Sequence, residues 1–209
     1  MSSDFRPKKI FGKFMHVNDI PLETKSGKTL VFFFGAGFCP FCAAERWAVV
    51  EALKNFGAWE NLPEDFSAEK DEKYLNIPTF NFPNASYSSR YVEFQAIETA
   101  DRHFNTIDNN GKDSYGILEN YNPDQIIPFT LIDGQFMQAG CGYSPKLFEG
   151  LDHDKVREQI LDPLSALGSS IKNENAFLTA LICSTLKNNA EGGCSENNIK
   201  ELIKQLSAN

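Results

Sequence analysis

The sequence of 209 residues has no apolar run of about 18 residues, no excess of basic charge and only three histidines. Without such a run, no segment of this chain is expected to span a membrane. The net charge of −8 argues against nucleic acid or an anionic membrane surface as a partner. The three histidines, His16, His103 and His153, are scattered, so we expect surface or core histidines and no metal site.

A secretory signal is also missing from the beginning of the chain. The first nine residues are mostly polar and contain no apolar h-region. A cytoplasmic protein is therefore the first expectation. The composition, with 42% hydrophobic and 23% charged residues, is that of a globular protein, and 209 residues are enough for one domain with a sizeable core.

The most informative feature that is present is the motif Cys39-Pro40-Phe41-Cys42. A dense apolar run at residues 30–36 precedes it, too short for a core helix and rich in strand-forming residues. A helical pattern over residues 43–56 follows and ends at Gly57. Two cysteines two residues apart, where a buried strand turns into a helix, indicate a thiol–disulfide redox motif.

The position of each cysteine suggests its role. Cys39 comes at the helix N-terminus, where unpaired N–H groups and the helix dipole stabilise a thiolate, so we expect it to be the nucleophile. Cys42 follows one turn later and is expected to resolve the mixed disulfide. Pro40 and Phe41 are expected to tune the thiolate pKa and the redox potential and to contact substrate. No metal or organic cofactor is required, because the two sulfurs carry the electrons.

Two other interpretations of the motif stay open. One is half of a zinc site, but the chain has no second CxxC, and Cys141, Cys183 and Cys194 lack ligand spacing. The other is a structural disulfide between Cys39 and Cys42 that takes no part in redox chemistry. Because the total of five cysteines is odd, Cys141 is the candidate for an unpaired thiol if two pairs form.

The remaining segments show strand and helix patterns in turn. Residues 58–76 are polar and loosely patterned, and residues 101–113 are predicted as a loop with a turn signal at 108–111. Asp133-Gly134 separates two strand-like runs and predicts a β-hairpin, with Pro128 at the first residue of its leading strand. Further strands are predicted at 14–17, 79–82 and 91–97, and helices at 114–120, 154–161, 173–186 and 196–206.

This order of elements resembles the thioredoxin fold: strand, CxxC helix, strand, short helix, Ile-Pro, hairpin and helix. Ile127-Pro128 resembles the cis-proline loop, which in that fold lies against the CxxC motif and offers its backbone to an extended substrate. The resemblance implies that the Ile127–Pro128 bond is cis and that these two residues form the substrate platform. Ile77-Pro78 is a rival, but only Pro128 leads into a strand–Asp-Gly–strand unit.

The stretch FGAGFCPFCAAERWA, residues 34–48, is similar to that of a family of mostly prokaryotic thioredoxin-like proteins of unknown function. Ile127-Pro128-Phe129, Gly142-Tyr143-Ser144-Pro145 and the Cys183…Cys194 pair fit the same pattern, over residues 28–195. The resemblance implies a Cys183–Cys194 disulfide that joins the last two helices, with two free thiols as the alternative. Many members are anchored outside the cytoplasm by an N-terminal transmembrane helix, so an extracytoplasmic domain without its anchor is the alternative localisation.

One departure from thioredoxins concerns proton transfer. Thioredoxins and their periplasmic relatives place a buried acid six residues ahead of the first cysteine, where this chain has Phe33. Glu45, one turn beyond Cys42, is a candidate for proton support, and the other interpretation is that it faces solvent or pairs with an arginine. Arg46 is expected either to support a nearby thiolate or to pack its stem under Trp47.

These features predict an α/β protein with a thioredoxin-like fold in a single domain, residues 1–209. Residues 58–113 hold an insertion plus one core strand between the CxxC helix and the cis-proline strand, and residues 150–209 form a helical C-terminal extension. The predicted function is protein thiol–disulfide exchange, with protein thiols or disulfides as substrates and an unidentified partner that recycles the dithiol. The alternatives are a non-catalytic peptide-binding protein and a glutaredoxin-like enzyme that uses glutathione. The direction of electron flow does not follow from the motif.

Overall fold

The computed structural model of the protein describes residues 8–19, 22–109, 116–186 and 193–207. It is an α/β protein with a mixed six-stranded central sheet and helices in its C-terminal part. The strands are β1 (Lys8–Lys9), β2 (Met15–His16), β3 (Thr29–Gly35), β4 (Gly57–Asn61), β5 (Glu64–Phe66), β6 (Pro78–Phe80), β7 (Ser86–Ser89), β8 (Val92–Glu98), β9 (Phe129–Ile132) and β10 (Phe136–Ala139). The helices are α1 (Pro40–Leu53), α2 (Ile117–Tyr121), α3 (His153–Leu161), α4 (Ala166–Thr185) and α5 (Asn197–Ser207).

The central sheet has the strand order β1-β2-β10-β9-β3-β8. Strand β3 pairs in parallel with β8 on one side and antiparallel with β9 on the other. All seven residues of β3 are buried, as its uninterrupted apolar sequence predicts for a central strand. Strands β9 and β10 form the predicted hairpin, whose turn residues Asp133 and Gly134 have positive φ angles of 49° and 73°, as a type I′ turn requires.

The alternation of side chains along β3 gives the protein two apolar layers. Leu30, Phe32 and Phe34 pack on the face that α2 covers, together with Ile117. Val31 and Phe33 belong to the larger core on the opposite face, which includes the buried residues of α1 and α4. The dithiol motif, which begins α1, therefore lies on the side of the sheet that faces the larger core.

Helix α1 begins and ends three residues earlier than the predicted 43–56. Pro40 is tolerated at the first helical position because the N–H of that position has no intrahelical partner. Gly57 does not end the helix directly but begins β4. Nearly every side chain of α1 is buried, since the helix packs against the sheet, β6 and α4.

Two small antiparallel sheets, β4–β7 and β5–β6, lie in the segment between α1 and β8. The sequence pattern does not indicate β4, β5 and β7, and the strand predicted at 79–82 already ends at Phe80. The residues of β4, β5 and β7 are mostly polar and partly exposed. Hydrogen bonding to a partner strand, rather than burial of an apolar face, therefore stabilises these strands.

Most of the other predicted elements correspond to observed ones within a few residues. The strand predicted at 91–97 is β8, and the one at 14–17 shortens to β2. Residues 110–115 lie outside the described residues. Part of the predicted turn at 108–111 and the first residues of the helix predicted at 114–120 fall in this range. The rest of that helix is α2.

The C-terminal helices follow the predicted pattern, and α4 is longer than predicted. It begins at Ala166 instead of residue 173, because the Ser165 hydroxyl caps it by accepting the Gly168 N–H at 2.9 Å. Cys183 in α4 and Cys194, just before α5, form a disulfide, which confirms that prediction. Within the described ranges, no helix is long and apolar enough to cross a bilayer.

Candidate functional site

The dithiol lies where β3 leads into α1. Cys39 is the N-cap residue of α1, and its sulfur accepts a hydrogen bond from the Cys42 backbone N–H at 3.3 Å. The Cys42 Sγ atom is 3.2 Å from the point that a Cβ at Gly35 would occupy, so glycine there leaves room for the thiol. Both cysteines are free thiols, and both are at the first turn of the helix, as the sequence predicts.

The two thiols have opposite environments. The pKa of Cys39 is lowered, first because the Cys42 thiol donates a hydrogen bond to it, and further by backbone N–H groups and the charge of Arg46, which together outweigh burial. The pKa of Cys42 is raised well above its ordinary value, first by burial and then by its hydrogen bond to Cys39. Cys39 is 6% exposed, whereas Cys42 is fully buried. This asymmetry favours a Cys39 thiolate beside a Cys42 thiol.

Ile127 and Pro128 come next to the dithiol through the register of the sheet. Phe129 at the start of β9 is opposite Phe34, so Pro128 comes level with Gly35, the residue against which Cys42 packs. The Ile127–Pro128 peptide bond is cis. The Pro128 carbonyl accepts the Gly140 N–H at 2.7 Å. The rival Pro78 is buried in β6, where its carbonyl accepts the Trp47 indole N–H at 2.8 Å.

Apolar side chains are exposed around the motif and beside Pro128. Pro40 is buried at the first helical position, but Phe41 is 40% exposed and meets the Tyr74 ring edge-on with centroids 6.1 Å apart. Phe104, also 40% exposed, stacks on Phe38 with centroids 4.6 Å apart. Ile126, just before the cis bond, is 48% exposed. We call Phe38, Phe41, Phe104 and Ile126, the apolar side chains that flank the motif and the cis bond, the apolar rim.

Arg46 is buried beside the dithiol and pairs with Glu98 at the end of β8. Its Nη2 atom is 2.8 Å from each Glu98 carboxylate oxygen, and its Nε atom is 3.1 Å from Oε1. The guanidinium also donates to the Ala36 carbonyl at 2.9 Å. The guanidinium lies over the rings of Phe33 and Phe82.

Glu98 is the charged residue of this site that the sequence pattern did not indicate. Its side chain is 1% exposed, and it ends a strand that runs parallel to β3. A signal for it exists in the sequence, because a lone carboxylate at the end of a predicted parallel strand lies at the same sheet edge as the motif. Recognising that signal requires knowing that β8 is the neighbour of β3.

Glu45 neither faces solvent nor pairs with an arginine, so that interpretation is wrong. It is fully buried and accepts hydrogen bonds from the Gln138 side chain at 3.0 Å and the Gly142 N–H at 3.4 Å. Burial and the neighbouring Glu174 of α4 raise its pKa well above the ordinary value. The free, buried Cys141 thiol interacts with Glu45, and burial raises the pKa of this cysteine too.

A cavity of about 340 Å³ adjoins the Arg46–Glu98 pair. Its walls include both charged side chains and Gly37, which precedes the motif by two residues. In the described ranges, no cluster of three or more histidine, cysteine, aspartate or glutamate side chains could hold a metal ion.

Comparison with known proteins identifies the family of the chain. A family model described as a domain of unknown function, DUF929, matches residues 13–184. No curated protein and no solved structure matches the chain. The matched range begins before β2, ends in α4, and includes the dithiol, Glu98 and Ile127-Pro128. Since the match covers well over half of the sequence, the chain belongs to the DUF929 family.

Proposed function

We propose that this protein is a thiol–disulfide oxidoreductase of thioredoxin-like fold that exchanges disulfides of proteins through Cys39 and Cys42. The observation that carries the proposal is the asymmetry of the two thiols at the N-terminus of α1. One thiol has a lowered pKa and some exposure, whereas the other is buried with a raised pKa. A nucleophilic and a resolving thiol need these two environments.

The order of elements supports the thioredoxin-like fold. Strand β3, helix α1, strand β8, helix α2, Ile127-Pro128 and the β9–β10 hairpin follow one another as in the order that the resemblance implies. The strands β8, β3, β9 and β10 are neighbours in one sheet, with β8 parallel and β9 antiparallel to β3. In this interpretation residues 58–113 are an insertion plus one core strand, and residues 150–209 are a helical extension of the same domain.

In the reducing direction, the Cys39 thiolate attacks one sulfur of a substrate disulfide. A bond forms between Cys39 Sγ and that sulfur, and the other substrate sulfur leaves as a thiolate and takes up the Cys42 proton. The Cys42 thiolate then attacks Cys39 Sγ, the substrate sulfur leaves and takes a proton from water, and a Cys39–Cys42 disulfide remains. Two electrons pass from the protein dithiol to the substrate, and the reverse sequence oxidises a substrate dithiol.

The substrate is proposed to bind in extended form across Pro128. In this proposal the substrate contacts both the cis-proline segment and the apolar rim, so backbone contacts at Ile127 and Pro128 would combine with apolar contacts at the exposed side chains of Phe41 and Ile126. A separate partner would recycle the dithiol. The Cys183–Cys194 disulfide supports the extracytoplasmic alternative, since structural disulfides persist in oxidising compartments and are rare in the cytosol.

The test is turnover of a disulfide-bonded protein such as insulin, with dithiothreitol as the reductant. We expect the wild-type chain to accelerate reduction, Cys39→Ser to abolish it, and Cys42→Ser to accumulate a mixed disulfide on Cys39. Cys141→Ser is the matched control, because Cys141 is a third free thiol outside the motif, and it should retain turnover. Turnover that survives Cys39→Ser, or that is absent from the wild type, would contradict the proposal.

A non-catalytic peptide-binding protein is the second candidate, and one observation favours it. Cys39 is only 6% exposed, while the surrounding Phe41 and Ile126 are the exposed groups. A binding protein needs only the apolar rim, so the Cys39→Ser/Cys42→Ser variant should bind an unfolded, cysteine-free peptide as tightly as the wild type. Binding without wild-type turnover would support this candidate against the enzyme.

A further inference from the structure

The Arg46–Glu98 ion pair lies beneath the dithiol on the α1 side of the sheet. The two side chains are each 1% exposed, and three short contacts join the guanidinium to the carboxylate. Arg46 follows Cys42 by four residues on α1, which puts the two side chains on the same face of the helix. The ion pair is therefore next to the resolving thiol in the helix.

The strand register brings Glu98 to the same place from the sheet. Glu98 is the partner of Gly35 in the parallel β3–β8 ladder, and partners in a ladder project their side chains to the same face. The face of Gly35 is the one occupied by Cys42 Sγ, which is 3.2 Å from the position of a Cβ on Gly35. Because Gly35 has no side chain, the Phe33 ring, 2.7 Å from that Cβ position, and the Cys42 thiol share the space above residue 35.

A buried ion pair is costly to desolvate, so its presence calls for a physical explanation. Arg46 satisfies its donors with Glu98, the Ala36 carbonyl and, at 3.4 Å, the Thr79 hydroxyl. Its positive charge acts on both thiols, and Glu98 opposes that effect at Cys42. At the position where thioredoxins have their buried acid, this chain has the apolar Phe33, over which the guanidinium lies.

We propose that Arg46 stabilises the thiolate forms of the dithiol, and that Glu98 is a positioning residue that holds the guanidinium in place and offsets part of its charge. The proposal rests on the proposed function for its biological meaning, because a tuned dithiol matters only where thiols exchange. The charges that act on Cys39 and Cys42 would then come from α1 and β8, and not from the strand before the motif.

The experiment measures two properties that do not depend on turnover. The first is the pH dependence of Cys39 alkylation by iodoacetamide in the full chain, read by peptide mapping. The second is the equilibrium of the dithiol with glutathione and glutathione disulfide, in which two glutathione molecules form as the Cys39–Cys42 disulfide forms. Near-ultraviolet circular dichroism first establishes that each variant is folded.

If Arg46 and Glu98 act through their charges, removing either charge should shift the Cys39 pKa and the redox equilibrium, and the two shifts should have opposite signs. Arg46→Gln should raise the pKa of Cys39 and favour the disulfide, whereas Glu98→Gln should lower that pKa and favour the dithiol, because the amide oxygen still accepts from Arg46. Arg46→Lys keeps the charge and should stay closer to the wild type than Arg46→Gln. Glu98→Ala removes the anchor of the guanidinium and should shift the pKa in the direction of Arg46→Gln.

Shifts of the same sign in Arg46→Gln and Glu98→Gln, or no shift in either, would overturn the charge assignment. A lowered Cys39 pKa in Glu98→Ala would overturn the positioning role. If Arg46→Gln or Glu98→Ala does not fold, the test is made with Arg46→Lys and Glu98→Gln. Arg46→Lys should then shift the Cys39 pKa less than Glu98→Gln does. Should the shifts occur in a protein that turns over no disulfide, the proposed function fails and the charge assignment stands.

Discussion

Helix α1 buries two consecutive charged side chains, Glu45 and Arg46, in two different ways. Arg46 meets a carboxylate of opposite charge, Glu98, at 2.8 Å. Glu45 lies near a second carboxyl group, Glu174, and near the Cys141 thiol, and it is bonded by a neutral amide and a backbone N–H. In the Arg46 region a buried positive charge is therefore neutralised by a buried carboxylate, whereas the Glu45 region holds two carboxyl groups whose pKa values are raised.

The difference explains what each region can do near neutral pH. Arg46 stays protonated close to the dithiol, because Glu98 raises its pKa despite burial, and the carboxylate offsets part of the positive charge. The Glu45 region responds to pH, since burial and mutual repulsion favour the protonated carboxyl. The titratable groups that face it are Glu174, Cys141, Tyr143 and Lys13, of which Lys13 is the cation that opposes the rise.

The largest effect should come from breaking the ion pair. Arg46→Met removes the guanidinium that pairs with the buried Glu98 carboxylate, so we expect the free energy of unfolding to fall by about 3–5 kcal/mol. The double variant Arg46→Met/Glu98→Met should recover most of that loss, because it removes both charges. Urea denaturation measures both values.

An ion pair at the C-terminal end of the same helix is the control for this prediction. Lys54 bonds Glu51 at 2.6 Å, and the Lys54 side chain is largely exposed. Lys54→Met should therefore change the free energy of unfolding by only about 0–1 kcal/mol. Equal losses in Arg46→Met and Lys54→Met would remove the distinction between the buried and the exposed pair.

The next largest effect should come from the disulfide that holds α4, the helix that supplies Glu174. The bond closes a loop with a sequence separation of 11. Replacing both Cys183 and Cys194 by serine should lower the free energy of unfolding by about 3 kcal/mol, because the unfolded chain gains entropy. Urea denaturation of the variant, and of the wild type with and without reductant, measures this loss. A variant as stable as the oxidised wild type would show that the disulfide does not constrain the unfolded chain.

A smaller effect should appear in the pH dependence of stability. A carboxyl whose pKa is raised by folding stabilises the protein below its unfolded pKa, about 4.3 for glutamate, and that contribution is lost as pH rises through the raised value. Glu45→Gln should therefore gain stability relative to the wild type as pH increases from 5 to 8, since the amide cannot ionise. Urea midpoints across this range test the sign, and a constant difference between the two proteins would contradict it.

The last prediction compares one thiol from each region. Cys39 has a lowered pKa beside Arg46, and Cys141 has a raised pKa beside Glu45. At pH 6 we expect iodoacetamide to alkylate Cys39 more than about tenfold faster than Cys141, because the thiolate is the reacting form. Peptide mapping of the folded, reduced protein gives both rates, and comparable rates would mean that the two environments do not differ as described. Cys42, buried and with a raised pKa, should also react more slowly than Cys39.

Local patterns were sufficient for the parts of the fold that rest on neighbouring residues. The buried strand β3, the N-terminal position of Cys39 and the Asp133-Gly134 hairpin all follow from short stretches of sequence, whereas the Cys183–Cys194 disulfide was implied by the family resemblance. Strands β4, β5 and β7 do not, because their polar residues become strands only by pairing with segments elsewhere in the chain. A periodicity argument detects a buried face, and these strands have little of one.

For the candidate site, the sequence by itself determined the dithiol, its place at the start of a helix and the Ile-Pro segment that precedes the hairpin. It could not decide between the two interpretations of Glu45 or of Arg46, because a helical pattern does not tell which neighbour each buried side chain meets. Only the tertiary structure brought Glu98 to Arg46 across 52 positions and Glu174 to Glu45. The charge and pKa of a buried group depend on desolvation and on partners a few ångströms away, and the packing of strands and helices, not chain proximity, selects those partners.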